Sequence, residues 1–185
     1  MYELMVLGVL ARRAMHGYGI AKIIENIMGP FRRVQWGALY PVLKRLEAEG
    51  AIAAEDGRDD DGNARNVFCL TDLGRERLHD LVMDTEHHLG EYDRTFAHKV
   101  TLFFLLTPDE QLYLSRHYVV YAQQNVDHLN RKRRDVNGVK QSHMSDEQIG
   151  LIHAVMEHRA AYWQGEQAWA EALIAQNRIP SQETI

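Results

Sequence analysis

Apolar residues recur along the first fifty positions at three-and-four spacing, interrupted twice by glycine. Leu4, Leu7, Leu10 and Ala11 predict a short amphipathic helix over residues 2–14. Met15-His16-Gly17 breaks that pattern. Ile20, Ile23, Ile24 and Ile27 then form a second stripe that stops at Gly29-Pro30, where proline cannot continue a helix. A third helix is expected over residues 35–49, burying Leu39, Leu43 and Leu46 and ending at Gly50. The period then changes. Residues 51–55 and 66–70 read as short strands around a polar turn with two glycines, a hairpin. Thr71 and Asp72, followed by Glu76, offer an N-cap for a helix through Leu78, Leu81 and Val82. Three helices, a hairpin and another helix is the order of a winged helix.

Beyond about residue 85 the pattern is helical throughout. Phe96, Val100, Phe103 and Phe104 form an aromatic-rich segment, and Thr107-Pro108-Asp109-Glu110 opens a long helix with proline first and acids at its positive end. Leu112, Val119, Ala122, Val126, Leu129 and Val136 give that helix a seam of the coiled-coil type. After a break over residues 138–144, Ser145 with Gln148 resembles a capping box. The last helix carries Ile149, Ile152, Met156, Trp163, Ala170 and Leu173 to about residue 176, and the tail to residue 185 is expected to fray. The expected fold is mainly α with a small β-hairpin wing: a winged helix-turn-helix over residues 1–85, and a helical domain over residues 86–185 for pairing two copies.

Composition narrows the class. With 45% hydrophobic and 25% charged residues the chain should fold as a globular protein. Its longest uncharged apolar run, residues 100–108, is about half of what a bilayer needs, and the first residues lack a signal peptide's basic and apolar regions, so a cytoplasmic location without membrane contact is expected. The lone Cys69 excludes an internal disulfide and a thiolate zinc pair, and reads as a buried filler. The net charge is -5, yet residues 1–78 hold eleven Lys or Arg and eleven Asp or Glu. A neutral half binds a polyanion only if its basic groups share a face. Arg12, Arg13, Arg32 and Arg33 supply candidates.

The third helix has two faces. Trp36, Tyr40 and Lys44 recur every four residues, away from Leu39, Leu43 and Leu46. Gln35 at its start suits adenine or a phosphate, Tyr40 can donate to a phosphate, Lys44 supplies charge and Trp36 suits a thymine methyl. Ten histidines raise the question of a metal, but His153 and His158 lie five apart and do not share a helix face, and His87, His88, His117, His128 and His143 read as surface residues. A Gly-rich phosphate loop, a GxSxG elbow and a cysteine nucleophile constellation are all missing from the sequence, so neither an enzyme, a metal nor a cofactor is expected. The aromatic residues of the second half suggest a small aromatic effector at Phe96, Tyr162 and Trp163. The seams assign dimerisation to Leu112, Val119, Val126, Ile152, Met156, Trp163 and Leu173.

Three stretches, in order and at matching spacing, carry a resemblance: His16-Gly17-Tyr18-Gly19-Ile20, then Gly37-Ala38-Leu39-Tyr40-Pro41-Val42-Leu43-Lys44-Arg45-Leu46-Glu47-Ala48-Glu49-Gly50-Ala51-Ile52, then Val67-Phe68-Cys69-Leu70-Thr71-Asp72-Leu73-Gly74. Over residues 4–78 the chain resembles the PadR family of bacterial transcriptional regulators, and its C-terminal pattern is similar to that of the longer, phenolic-acid-responsive members. The resemblance implies a winged helix-turn-helix dimerised through C-terminal helices, repressing from a palindromic operator in double-stranded DNA. It places Tyr18 near the phosphate backbone and Tyr40-Pro41 in the recognition helix. Pro41 is most easily accommodated if that helix starts near Gly37 or Ala38. The chain departs from the family at Ala38 and Phe68, where hydroxyl residues are common, and at Asp59-Asp60-Asp61 on the wing tip, where carboxylates repel phosphates and leave Arg58 or Arg65 as the wing's contacts. An activator of the same fold, or a helical dimeric adaptor without DNA binding, is the alternative.

Overall fold

A computed structural model describes residues 1–31, 33–58, 64–87, 89–138 and 144–177. The acidic tip Asp59, Asp60 and Asp61, the residues Arg32, His88 and His143, the side chains of Arg58 and Arg65, and the tail after residue 177 lie outside the described residues. The chain is mainly helical with one small sheet. In order it runs α1 (Tyr2–Leu10), β1 (Met15–His16), α2 (Gly17–Met28), α3 (Trp36–Ala48), β2 (Ile52–Arg58), β3 (Ala64–Leu70), α4 (Asp72–Met83), α5 (Tyr92–Val100), α6 (Pro108–Gly138) and α7 (Asp146–Asn177). It forms two compact units, Met1–Leu105 and Leu106–Ile185.

The first helix is buried on all sides. Leu4 through Leu10 are all shielded from solvent, so α1 is a central strut and not the one-sided amphipathic helix that its leucine spacing predicts. Burying each of its leucines contributes on the order of 2 kcal/mol. The sheet has the order β1-β3-β2, antiparallel throughout. Its two-residue first strand pairs Met15 with Phe68 and His16 with Val67, in the segment that reads from sequence only as a helix break.

Glycine and threonine join α3 to the wing and to α4. Gly50, at φ +74°, ends α3 with its N–H donating to the Glu47 carbonyl, while Ala51 N–H reaches the Leu46 carbonyl, a Schellman cap. Thr71 caps α4 by accepting from Gly74 N–H at 3.0 Å, as its sequence position suggests. A Cβ on Gly74 would lie 2.0 Å from the Ala51 carbonyl oxygen, so only glycine lets α4 start this close to the end of α3.

The first unit runs past residue 85 because α5 belongs to its core. Tyr92, Phe96, Leu102 and Phe103 are buried, and Leu102 packs beside Gly8 of α1. Lys99 is buried as well, its ammonium donating to the Asp84 carbonyl and standing 5.4 Å from the Tyr92 ring centre. Burial pushes its pKa down to about 8, with Asp84 pulling the other way.

In the second unit α6 and α7 pack against each other. Both open with reciprocal capping boxes, Thr107 with Glu110 and Ser145 with Gln148. The interface contains ring pairs Tyr121–Trp163 and Tyr118–Trp169 at 5.5 and 6.2 Å, and a Tyr118 hydroxyl that donates to the Glu166 carboxylate. Among the described residues no helix is long and apolar enough to cross a membrane, and no cluster of His, Cys, Asp and Glu is able to hold a metal.

Candidate nucleic-acid interface

The helix α3 is anchored on one side and open on the other. Leu39, Leu43 and Leu46 are buried, whereas Trp36 and Tyr40, one turn apart, keep 47% and 54% of their surface exposed. Lys44 continues the row, its ammonium 5.8 Å from the Tyr40 ring centre. Gln35 precedes the helix and is exposed; its backbone carbonyl accepts the first helical bonds and its side chain makes no capping bond. The start of α2 abuts this row, since a Cβ on Gly17 would lie 3.8 Å from the Trp36 ring. Tyr18, 56% exposed, follows Gly17 at the edge of this row, and Lys22 comes one turn later, also exposed. The arrangement groups an indole N–H, two phenols, an amide and two ammonium groups where they can donate to acceptors on a polyanion.

The connector and the far end of α3 are tied down by charge. Glu25 of α2 accepts from Val34 N–H at 3.0 Å, two residues before the helix begins. At the other end Arg45 donates to Glu3 of α1 at 2.5 Å, Arg77 of α4 donates to the same carboxylate, and Arg77 also reaches Glu49 at 2.5 Å. Partial burial pushes the Glu3 carboxyl up, but the two guanidiniums more than reverse this and leave it below its ordinary value. Lys44 pairs with Glu47 at 2.9 Å, which raises its pKa. Arg45 and Arg77 are thus committed to carboxylates within the unit. Lys22 forms no ion pair among the described residues.

Comparison with known proteins bears on this geometry. Residues 6–80 match the Transcriptional regulator PadR-like family. Over 76 residues the chain is 39% identical to Transcriptional regulator Rv3488 of Mycobacterium tuberculosis, covering 41% of this chain and 67% of that protein. The chain belongs to the PadR-like family of transcriptional regulators. It is also 31% identical, over 75 residues and 40% of its length, to the Negative transcriptional regulator PadR of Bacillus subtilis, of whose length it spans 41%. A crystal structure of Bacillus subtilis PadR in complex with operator DNA aligns over 95% of this chain and 98% of that one, with 19% identity and a TM-score of 0.39.

In the PadR-like chain Tyr18, Gln35, Trp36, Tyr40 and Lys44 are all exposed, the last three in one row along α3, while the Arg65 side chain is outside the described residues. Helix α3 starts at Trp36, before the Gly37 or Ala38 start that Pro41 suggests, so Pro41 sits in its second turn. Pro41 has no N–H to donate to the Gly37 carbonyl four residues back, and Gly37 is exposed to water. Cys69 is half-exposed, not a buried filler, with its thiol 3.5 Å from the Ala53 carbonyl oxygen. Phe96 is completely buried against Tyr92 and Phe103 and presents no face to a ligand; the expected effector residue is a core residue of the first unit. Tyr162 and Trp163 lie in the second unit, their rings 5.2 Å apart. Of the residues expected to pair two copies, Val126 is buried within its own unit, and Met156 and Trp163 meet α6; Leu112, Val119, Ile152 and Leu173 are half-exposed. Sequence reasoning missed Glu25, Lys22 and the Glu3–Arg45–Arg77–Glu49 network. Lys22 was recoverable from its position four residues after Tyr18, but nothing local points from Glu3 to Arg77.

Proposed function

We propose that this PadR-like chain is a transcriptional repressor that binds a palindromic operator in double-stranded DNA as a homodimer and is released by a small-molecule effector in the cytoplasm. The observation that carries the reading is the exposed Trp36–Tyr40–Lys44 row on a helix whose opposite face is locked by three buried leucines. Each subunit places this row in a major groove, with Gln35 and Trp36 at base edges and Tyr18, Lys22 and Lys44 at phosphates. Two such helices must sit about 34 Å apart to meet successive half-sites. The pairing surface we assign is on α7, where Leu151, Val155 and Tyr162 form one exposed stripe at four- and seven-residue spacing. Repression is supported by the 31% identical Bacillus subtilis relative, a negative transcriptional regulator.

The test is fluorescence anisotropy of the full chain on labelled duplex from immediately upstream of its own gene, at two salt concentrations, with unrelated duplex as competitor. Saturable binding that survives competitor and weakens with salt is the expected result. Absence of binding at low salt would sink the reading, and a reporter whose output rises with the protein would replace repression by activation.

A further inference from the structure

Between α1, α2 and α5 the first unit has a half-open cavity of about 360 Å³, within the size range of small-molecule sites. Its interior is aliphatic and sulfur-bearing, with Leu4, Val9, Met15, Ile23 and Ile27 among its walls, and offers no phenyl or indole face on which a flat ring could stack. Its polar side is one-signed. Arg12 and Arg13 stand at it, and among the described residues no carboxylate lines it. Arg12 is braced: its guanidinium donates to the Thr101 carbonyl at 2.9 Å and lies 5.4 Å over the Phe104 ring. Arg13 is exposed and forms no ion pair among the described residues. An apolar interior with two cations and no anion at its edge fits a ligand with an apolar body and one negative head.

We infer that this cavity binds an aliphatic monocarboxylate, its head at Arg12 and Arg13 and its chain against Met15, Ile23 and Ile27, and that occupancy loosens the grip of α3 on DNA. The second half of the inference rests on the DNA-binding reading above; the first does not. The link is through α2. Ile23 and Ile27 flank Glu25, whose carboxylate holds Val34 N–H and thereby sets where α3 begins. A chain wedged against these isoleucines favours an arrangement of α2 in which that tie, and with it Trp36, is displaced, and differential affinity for that arrangement is what releases DNA. His98 reports on the head group. It lines the cavity, and burial together with the N-terminal ammonium holds its pKa below the ordinary histidine value. A carboxylate close by favours the imidazolium and moves its titration up.

The experiment titrates the full chain with decanoate and with decanol by calorimetry, follows the His98 ring by NMR across pH, and repeats the DNA anisotropy in the presence of each compound. Decanoate is expected to bind saturably at one site per chain, roughly tenfold or more tighter than decanol, and to raise the His98 titration point, which decanol leaves in place. Arg13→Gln should remove most of the preference for decanoate, and Ile27→Glu, at a position 43% exposed and so tolerant of the change, should abolish binding of both compounds. Equal affinity for the two compounds, no saturable binding, or decanoate binding unmoved by both substitutions overturns the site. Binding that leaves DNA affinity unchanged overturns the link to α3. A chain that takes decanoate at this site but binds no DNA supports the site, while overturning the DNA reading and the link that depends on it.

Discussion

The outer faces of α3 and α7 are exposed to a similar degree and are built from opposite chemistry. Trp36 and Tyr40 on α3 keep about half their surface in solvent, and Leu151 and Val155 on α7 keep 65% and 58%. An indole and a phenol each pair an apolar body with a hydrogen-bond donor, so their row is at ease on a wet, polar partner such as a nucleic-acid groove. Leucine and valine have no such donor. A stripe of them, running four and seven residues to Tyr162, gains from contact only with another apolar surface, and a second copy presents the same stripe by symmetry. Exposure therefore says that both faces are available, while residue type says to what.

Breaking the aliphatic face should have the largest effect. Leu151→Asp combined with Val155→Asp places charges at positions already in solvent, so the helical circular dichroism should persist while sedimentation shows a monomer. DNA affinity should fall about 100-fold or more, because two linked reading helices act with avidity that a single one lacks. A double variant that sediments as a dimer would show that the stripe is not the pairing surface. Breaking the aromatic face should separate the two functions in the other direction. Trp36→Ala is expected to cost about 1–3 kcal/mol of binding to the specific duplex with no change in oligomeric state. Equal loss on specific and unrelated DNA would move Trp36 from base reading to backbone contact.

How much of this was legible in the sequence depends on the range of the interaction. Helix α3 and its two faces follow from spacing, and the caps at Thr71 and Ser145 follow from residue type, whereas at Thr107 the sequence offers the first-turn proline and acids and the structure adds the box with Glu110. The character of α1 did not follow, because a leucine period of three predicts one buried face and cannot reveal that α2, α4 and the sheet close around the helix from several sides. The edge strand at Met15 and His16 is two residues long and exists only because Phe68 and Val67, some fifty positions later, supply its partners. The dimerisation seam illustrates a further limit. Periodicity located apolar stripes on α6 and α7, but Met156 and Trp163 pack within the hairpin of their own chain, and the exposed stripe at Leu151 and Val155 lies beside them. A hydrophobic period marks a face that wants burial without naming which element provides it.

The ionic anchor of α3 sharpens the comparison further: Glu3 gathers guanidiniums from α3 and α4, whereas α7 meets α6 through ring packing and pairs such as Arg133–Glu157. Glu3 is held below its ordinary pKa in the folded chain by Arg45 and Arg77. A carboxyl lowered on folding contributes stability above its unfolded value, and that contribution is lost as pH falls through the folded value. Glu3→Gln should therefore lower stability near neutral pH by about 1 kcal/mol, given partial solvent screening, and flatten the decline in stability under acid. Parallel acid unfolding curves for the two proteins would remove the network from the account of how α3 is held.

The smallest effect, and the most discriminating for the reading face itself, concerns Lys44. Its ammonium is engaged by Glu47 one turn away and stands near the Tyr40 ring, so reaching a phosphate requires it to leave a carboxylate. The lysine side chain is 49% exposed and the glutamate's 30%, so water and salt reach the pair and it contributes little. Lys44→Ala should then weaken binding only several-fold, by the same factor on all duplexes, and reduce the salt slope by about one. Glu47→Gln frees the ammonium and removes a carboxylate from the neighbourhood of the phosphates, so it should tighten binding several-fold, most at low salt. The two substitutions move affinity in opposite directions only if Lys44 faces phosphate. If Glu47→Gln instead weakens binding, the ion pair is what aims Lys44 at a base edge, and the lysine belongs with Gln35 and Trp36 among the sequence readers of α3.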